Sequence, residues 1–400
     1  MYKTENEYGQ SSRSLTAAME TLLQFLLLLG TFINTFFSAS SQPYVGVNYG
    51  EIADNLPPPE STAHLLQSTT ISKLRLYGAD PAIIRALAGT NISLIIGTTN
   101  GEIASLAANP SAAVSWVSSN VLPFLPATSI SAISVGNEIL TAGDPTLSSQ
   151  LLPAMQNLKA AIPAGIKIST VHSMAVLSQS DPPSSGMFKP DLAPLLKPIL
   201  QFLHDNESPF MVNPYPYFAY QSDQRAETLA FCLFQPNSGR PDPGSGVTYT
   251  NMFDAQVAAV RAALVAAGFA GAEVVVAETG WPYNGDAGEA GATLENAKAY
   301  NGNLVAHLRG MGEPIETYIF ALYDEDLKPG PTSERSFGLF KTDLTPIYDA
   351  GLTRSEGGTG QAVPAIAPAP TTAEDPIVPA ISAAPAPAED PAIVKSYLVL

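Results

Sequence analysis

Eight short apolar runs recur along the chain from residue 44 onward: YVGVNYG (44–50), ISKLRLYG (71–78), ISLIIGTT (92–99), ISAISVGNE (130–138), IKISTVHS (166–173), FMVNPYPYF (210–218), EVVVAETGW (273–281) and ETYIFALYDE (316–325). Each has the length and β-branched content of a strand buried on both faces. The stretches between them, at 64–67, 81–88, 110–121, 147–161, 192–204, 253–267 and 294–309, have helical character. Strands alternating with helices predict an α/β fold, and eight such units fit a closed parallel (β/α)8 TIM barrel. Residues 42–353 have room for that barrel and some long loops.

Where the runs stop carries the chemistry. EVVVAETGWP opens as a buried strand and then places Glu278 where an apolar residue is expected, followed by Trp281. A carboxylate there costs several kcal/mol unless paired or hydrogen-bonded, and one such glutamate alone reads equally as a structural ion pair. A second run, ISAISVGNE, ends the same way in Asn137 and Glu138. Active groups of such a barrel sit at the C-terminal ends of its strands, so both glutamates are expected on one rim. Two facing carboxylates are what glycosidic bond cleavage needs. The other run ends supply Asn48, Tyr49, Tyr77, Tyr215 and Tyr217. Sugars present apolar C–H faces and hydroxyl edges, which aromatic and amide groups match. After the eighth run, Glu325, Lys328 and Glu334 are the charges expected to face a ligand, in a long polar loop before a last helix.

Composition narrows the partners. The formal charge of −17, with only 19 Lys and Arg, argues against nucleic acid and anionic membrane surfaces. Cys232 is the single cysteine and the four histidines are scattered, so no internal disulfide, metal site or cofactor is expected. Residues 22–37 form a 16-residue apolar run followed by small residues, the form of a secretory signal over residues 1–41 and short for a membrane span. Residues 362–400 hold 8 Pro and 11 Ala, and 354–400 read as a disordered Pro/Ala-rich tail without an anchor. A secreted monomer acting outside the cell or in its wall, without stable membrane insertion, is the expectation.

VGVNYG, KLRLYGAD, VGNE at 135–138, NPYPYF at 213–218, VVVAETGWP at 274–282 and SERSFGLF at 333–340, in that order, resemble the plant endo-1,3-β-glucanases, glycoside hydrolase family seventeen. The resemblance implies a retaining (β/α)8 enzyme acting on β-1,3-glucan, with Glu138 as acid/base beside Asn137 and Glu278 as nucleophile. It further implies that Glu325, Lys328 and Glu334 belong to the site's network and that Tyr77, Tyr215 and Phe337 line the sugar cleft. A mixed-linkage glucanase, a transglycosylase and a wall protein that binds β-glucan without cutting it are the competing readings.

Overall fold

The computed structural model describes residues 45–354. The expected signal and tail segments lie outside the described residues.

Eight parallel strands close into a barrel: β1 (Val45–Tyr49), β2 (Lys73–Leu76), β3 (Ser93–Thr98), β4 (Ser129–Asn137), β5 (Lys167–Ser173), β6 (Phe210–Asn213), β7 (Val274–Thr279) and β8 (Thr317–Ile319). Each strand pairs with its neighbours in sequence, and β8 closes on β1. Seven fall within the apolar runs of the sequence, and β4 begins one residue ahead of its run, at Ser129.

Alternation along each strand divides the core in two. Ile95, Ala132, Val171, Met211, Val275, Ala277 and Tyr318 fill the lumen. The other set, such as Leu74, Leu76, Ile133 and Val276, packs against the outer helices. Near the N-terminal end of the lumen Lys73 pairs with Glu316, which also accepts from the Tyr318 hydroxyl at 2.7 Å. A Cβ on Gly46 would stand 2.5 Å from the Tyr318 ring, so only glycine leaves that ring room.

The helices start where the sequence supplies caps. Asp80 accepts from the amides of Ala82 and Ile83 ahead of Pro81–Ala86. Asp144 does the same for Pro145–Ala161. The helix expected at 64–67 runs Pro59–Ser68, because proline suits the first turn, where its missing N–H costs nothing. Helices at Ile103–Ala108, Pro216–Ser222 and Ala226–Cys232 were too short or too rich in turn residues to predict. No α-helix follows β8 among the described residues, which corrects the expected last helix. There the chain returns as loop, and the Thr70 amide donates to the Leu352 carbonyl at 2.7 Å.

Candidate active site

β4 and β7, the two strands whose C-terminal ends carry Glu138 and Glu278, share a local irregularity. Along β4–β5 the register steps from Ser134↔Ser169 to Asn137↔Val171, and along β7–β8 from Val276↔Thr317 to Thr279↔Ile319. Three residues oppose two in each case, a bulge that re-aims the side chains after it. In β4 the bulge takes Gly136 to φ 66° and Glu138 to φ 57°. A Cβ on Gly136 would lie 2.7 Å from Ile103 Cδ1 and 2.8 Å from Ile139 Cγ1. The left-handed conformation costs a glutamate about 1–2 kcal/mol, so the surroundings must hold it. They do: the Glu138 amide donates to the Val171 carbonyl at 2.9 Å, and the Thr141 amide and hydroxyl both donate to the Glu138 carbonyl.

Around these glutamates the side chains form one polar network. The Arg75 Nη1 lies 2.8 Å from Glu278 Oε1, and its Nη2 donates to Asn137 Oδ1 at 2.9 Å. Tyr215 donates its hydroxyl to the other Glu278 oxygen, Oε2, at 2.8 Å. Glu138 Oε1 accepts from Asn213 Nδ2 at 2.7 Å. Asn137 is held through its backbone by Asn100, which accepts from its amide and donates to its carbonyl. Burial opposes the Arg75 charge, yet Tyr77 and Glu278 outweigh it and hold its pKa above the ordinary value. Burial, reinforced by Glu278, pushes the Tyr215 and Tyr77 hydroxyls well above theirs, so Tyr215 remains a donor.

The loop after β8 brings up a second set of charges. The Lys328 ammonium sits 3.0 Å from Glu334 and 4.0 Å from Glu325, and 4.4 Å above the Phe320 ring. Burial works against this ammonium, but Glu334 and Glu325 raise its pKa. Glu325 Oε1 accepts from the Ile52 amide at 3.1 Å; burial raises its pKa, with Lys328 opposing. Arg335 fixes the loop by donating to the Lys328 and Gly330 carbonyls. Tyr215, Phe320 and Phe337 pack edge to face, with ring centroids 5.2–6.5 Å apart.

The structure thus brings Tyr77, Asn137, Glu138, Tyr215, Glu278, Glu325, Lys328, Glu334 and Phe337 into one region at the C-terminal mouth of the barrel. Four expected sugar contacts go elsewhere. Asn48, Tyr49, Tyr217 and Trp281 are 0–2% exposed and offer no surface to a ligand. Asn48 donates to the Ala277 carbonyl at 2.9 Å and so fixes the end of β7. Tyr49 meets Tyr323 edge-on, and the Tyr323 hydroxyl lies 3.1 Å from Thr62 in the helical layer. Trp281 donates to the Gly291 carbonyl and packs against Tyr217 and Tyr300, behind the cleft. Arg75, Asn100 and Asn213 were missed. The signal for Arg75 was present, since KLRLYG puts a guanidinium inside a run that is otherwise buried.

Among the described residues no group of three or more His, Cys, Asp or Glu side chains is arranged to hold a metal ion, and no helix is long and apolar enough to cross a membrane.

The model of glycosyl hydrolases family 17 matches residues 45–351, the whole barrel. The chain belongs to this family. Glucan endo-1,3-beta-glucosidase 7 of Arabidopsis thaliana is 60% identical over 86% of this family 17 chain and 70% of its own length. The glucan endo-1,3-beta-D-glucosidase of Olea europaea is 54% identical over 86% of the chain and 77% of its own. Among solved structures, the β-1,3-glucanase and pollen allergen CJP38 of Cryptomeria japonica superposes with a TM-score of 0.73 at 38% identity, covering 78% of this chain and 99% of that one. Glu138 and Glu278 therefore sit at the C-terminal mouth of a family 17 glycosidase barrel.

Proposed function

We propose that the chain is an endo-acting β-1,3-glucanase that cleaves with retention of configuration, Glu278 being the nucleophile and Glu138 the acid/base. The observation that carries the assignment of roles is the unequal setting of the two glutamates. Glu278 receives a guanidinium on one oxygen and a tyrosine hydroxyl on the other, two donors that hold the carboxyl group in place for attack. Glu138 Oε1 instead receives a neutral amide. Two carboxyl groups in different surroundings can divide acid and nucleophile work between them.

In the first step Glu278 attacks the anomeric carbon. The C–O bond to the leaving sugar breaks and Glu138 gives that oxygen its proton. In the second, Glu138 takes a proton from water, whose oxygen displaces Glu278 from the anomeric carbon. Both carboxyl groups are then restored. Tyr77 and Tyr215 would form the apolar wall for the sugars, with Phe337 packed behind Tyr215 and with Lys328 and its two glutamates meeting hydroxyl groups. The relatives' names give the linkage, β-1,3 within a glucan. The leader-like residues 1–41 fit export from the cell, where wall glucan is met.

The test is release of reducing ends from a linear β-1,3-glucan beside a mixed-linkage 1,3;1,4-glucan, with Glu278→Ala as control and products separated by size. Cleavage of the first substrate to short oligomers, lost in the control, supports the reading. Preference for the mixed-linkage glucan, or products longer than the starting chain, would replace it with one of the competing activities.

A further inference from the structure

Asn213 closes β6 immediately before Pro214 and is fully buried. Its register partner on β5 is Ser173, whose hydroxyl lies 2.9 Å from that of Thr141; the Thr141 hydroxyl also donates to the Glu138 carbonyl. The amide therefore stands on a rigid strand end, against the turn that fixes the Glu138 backbone. Its Nδ2 donates to Glu138 Oε1 at 2.7 Å, while its Oδ1, also buried, meets no partner among the described residues. Buried side-chain amides are ordinarily satisfied at both ends, so one left half-satisfied calls for an explanation.

We propose that Asn213 is a positioning residue for Glu138. Resting on the reading of Glu138 as acid/base, the role is to orient its carboxyl through the Nδ2–Oε1 bond. That bond strengthens when Glu138 becomes charged, which favours proton release in the first step and steadies the carboxylate until it acts as base. The other charged and titratable groups of the site are Glu278, Arg75, Tyr215 and Tyr77, with Glu325, Lys328 and Glu334 on the loop after β8. His172 on the intervening β5 is stacked on Phe210, at 4.7 Å between ring centroids, on the face away from the lumen.

The experiment compares Asn213→Ala, Asn213→Asp and Glu138→Ala with the parent enzyme, as kcat/KM against pH, on β-1,3-glucan and on a 2,4-dinitrophenyl β-laminaribioside. The dinitrophenolate leaves without proton donation, so that substrate bypasses the acid. Asn213→Ala should lower kcat/KM on glucan about 10- to 100-fold, the value of one hydrogen bond to a charged group, and change it less than about threefold on the aryl substrate. Its alkaline limb should move to higher pH, because the donor that favoured the ionised Glu138 is gone. Asn213→Asp keeps the shape, and its added negative charge should move that limb further. Equal losses on both substrates with an unmoved alkaline limb would show a merely structural role and overturn the proposal, as would parental behaviour of both variants. Glu138→Ala separates the two failures. If it spares the aryl substrate, loses glucan and regains turnover with azide, the acid/base reading stands whatever Asn213 does.

Discussion

Arg75 and Glu278 face each other at 2.8 Å across the mouth of the barrel, from strands separated by β1 and β8, and both are buried. The second arm of the guanidinium reaches Asn137, the neighbour of Glu138, at 2.9 Å. One cation therefore sets the position of both glutamate-bearing strand ends.

Replacing Arg75 by Lys keeps the charge but loses the two-armed geometry. We expect kcat on β-1,3-glucan to fall by about 10²–10³-fold, the scale of losing one organised electrostatic contact. Arg75→Met should also lose about 3–5 kcal/mol of stability, because it leaves Glu278 as an unpaired buried charge. Steady-state kinetics and denaturant titration measure the two effects. Parental kcat in Arg75→Lys would remove the two-armed contact from the account.

Tyr215→Phe removes one donor from Glu278 and little else, since the ring keeps its contacts with Phe320 and Phe337. A hydrogen bond to a charged group contributes about 1.5–3 kcal/mol, so about a 10- to 100-fold loss of kcat/KM is expected. Steady-state kinetics measure the loss, and a parental kcat/KM in Tyr215→Phe would show that this hydrogen bond does not assist the reaction.

Gly50 touches the site without any functional group. A Cβ there would lie 2.1–2.4 Å from the Glu325 carboxyl atoms. Gly50→Ala must therefore push Glu325 away from the Ile52 amide and disturb its pairing with Lys328. Weaker binding of laminari-oligosaccharides in calorimetry, with a modest loss of stability of about 1–3 kcal/mol, is the expected result. Unchanged binding would argue that Glu325 and Lys328 hold the loop rather than the sugar.

Glu51, just past β1, gives a pH-dependent prediction. Burial first, and then the carboxylates of Asp80 and Glu325, push its pKa up to about 7. A carboxyl whose pKa is raised on folding contributes most below its unfolded value near 4.5, and that contribution is lost as pH rises toward 7. Glu51→Gln, which cannot ionise, should match the parent's unfolding free energy at pH 4 and exceed it by up to about 3 kcal/mol at pH 8. Denaturant titrations at the two pH values test this; a gap that is the same at both would show that Glu51 titrates normally.

How much could be read from the sequence follows from what each feature depends on. The eight strands were legible because each is buried on both faces and so reads as a continuous apolar run. Glu138 and Glu278 were legible because a charge breaks that run. Tyr49 was misassigned because alternation along β1, which pairs in unbroken register, turns it to the helices, and Trp281 because it lies past the irregularity in β7. Asn213 was hidden within NPYPYF, where an asparagine before proline reads simply as a turn. Its partner lies 75 residues earlier and meets it only when β4, β5 and β6 close side by side.

The central claim is that Glu278 becomes bonded to the substrate. The most direct measurement is incubation with 2-deoxy-2-fluoro-β-laminaribiosyl fluoride, whose fluorine slows release of the intermediate, followed by peptide mass analysis. The account predicts a single fluoroglycosyl adduct on the peptide carrying Glu278, none in Glu278→Ala, and loss of activity in step with labelling. An adduct on another carboxylate, or full inactivation of a Glu278→Ala variant by the same reagent, would contradict it.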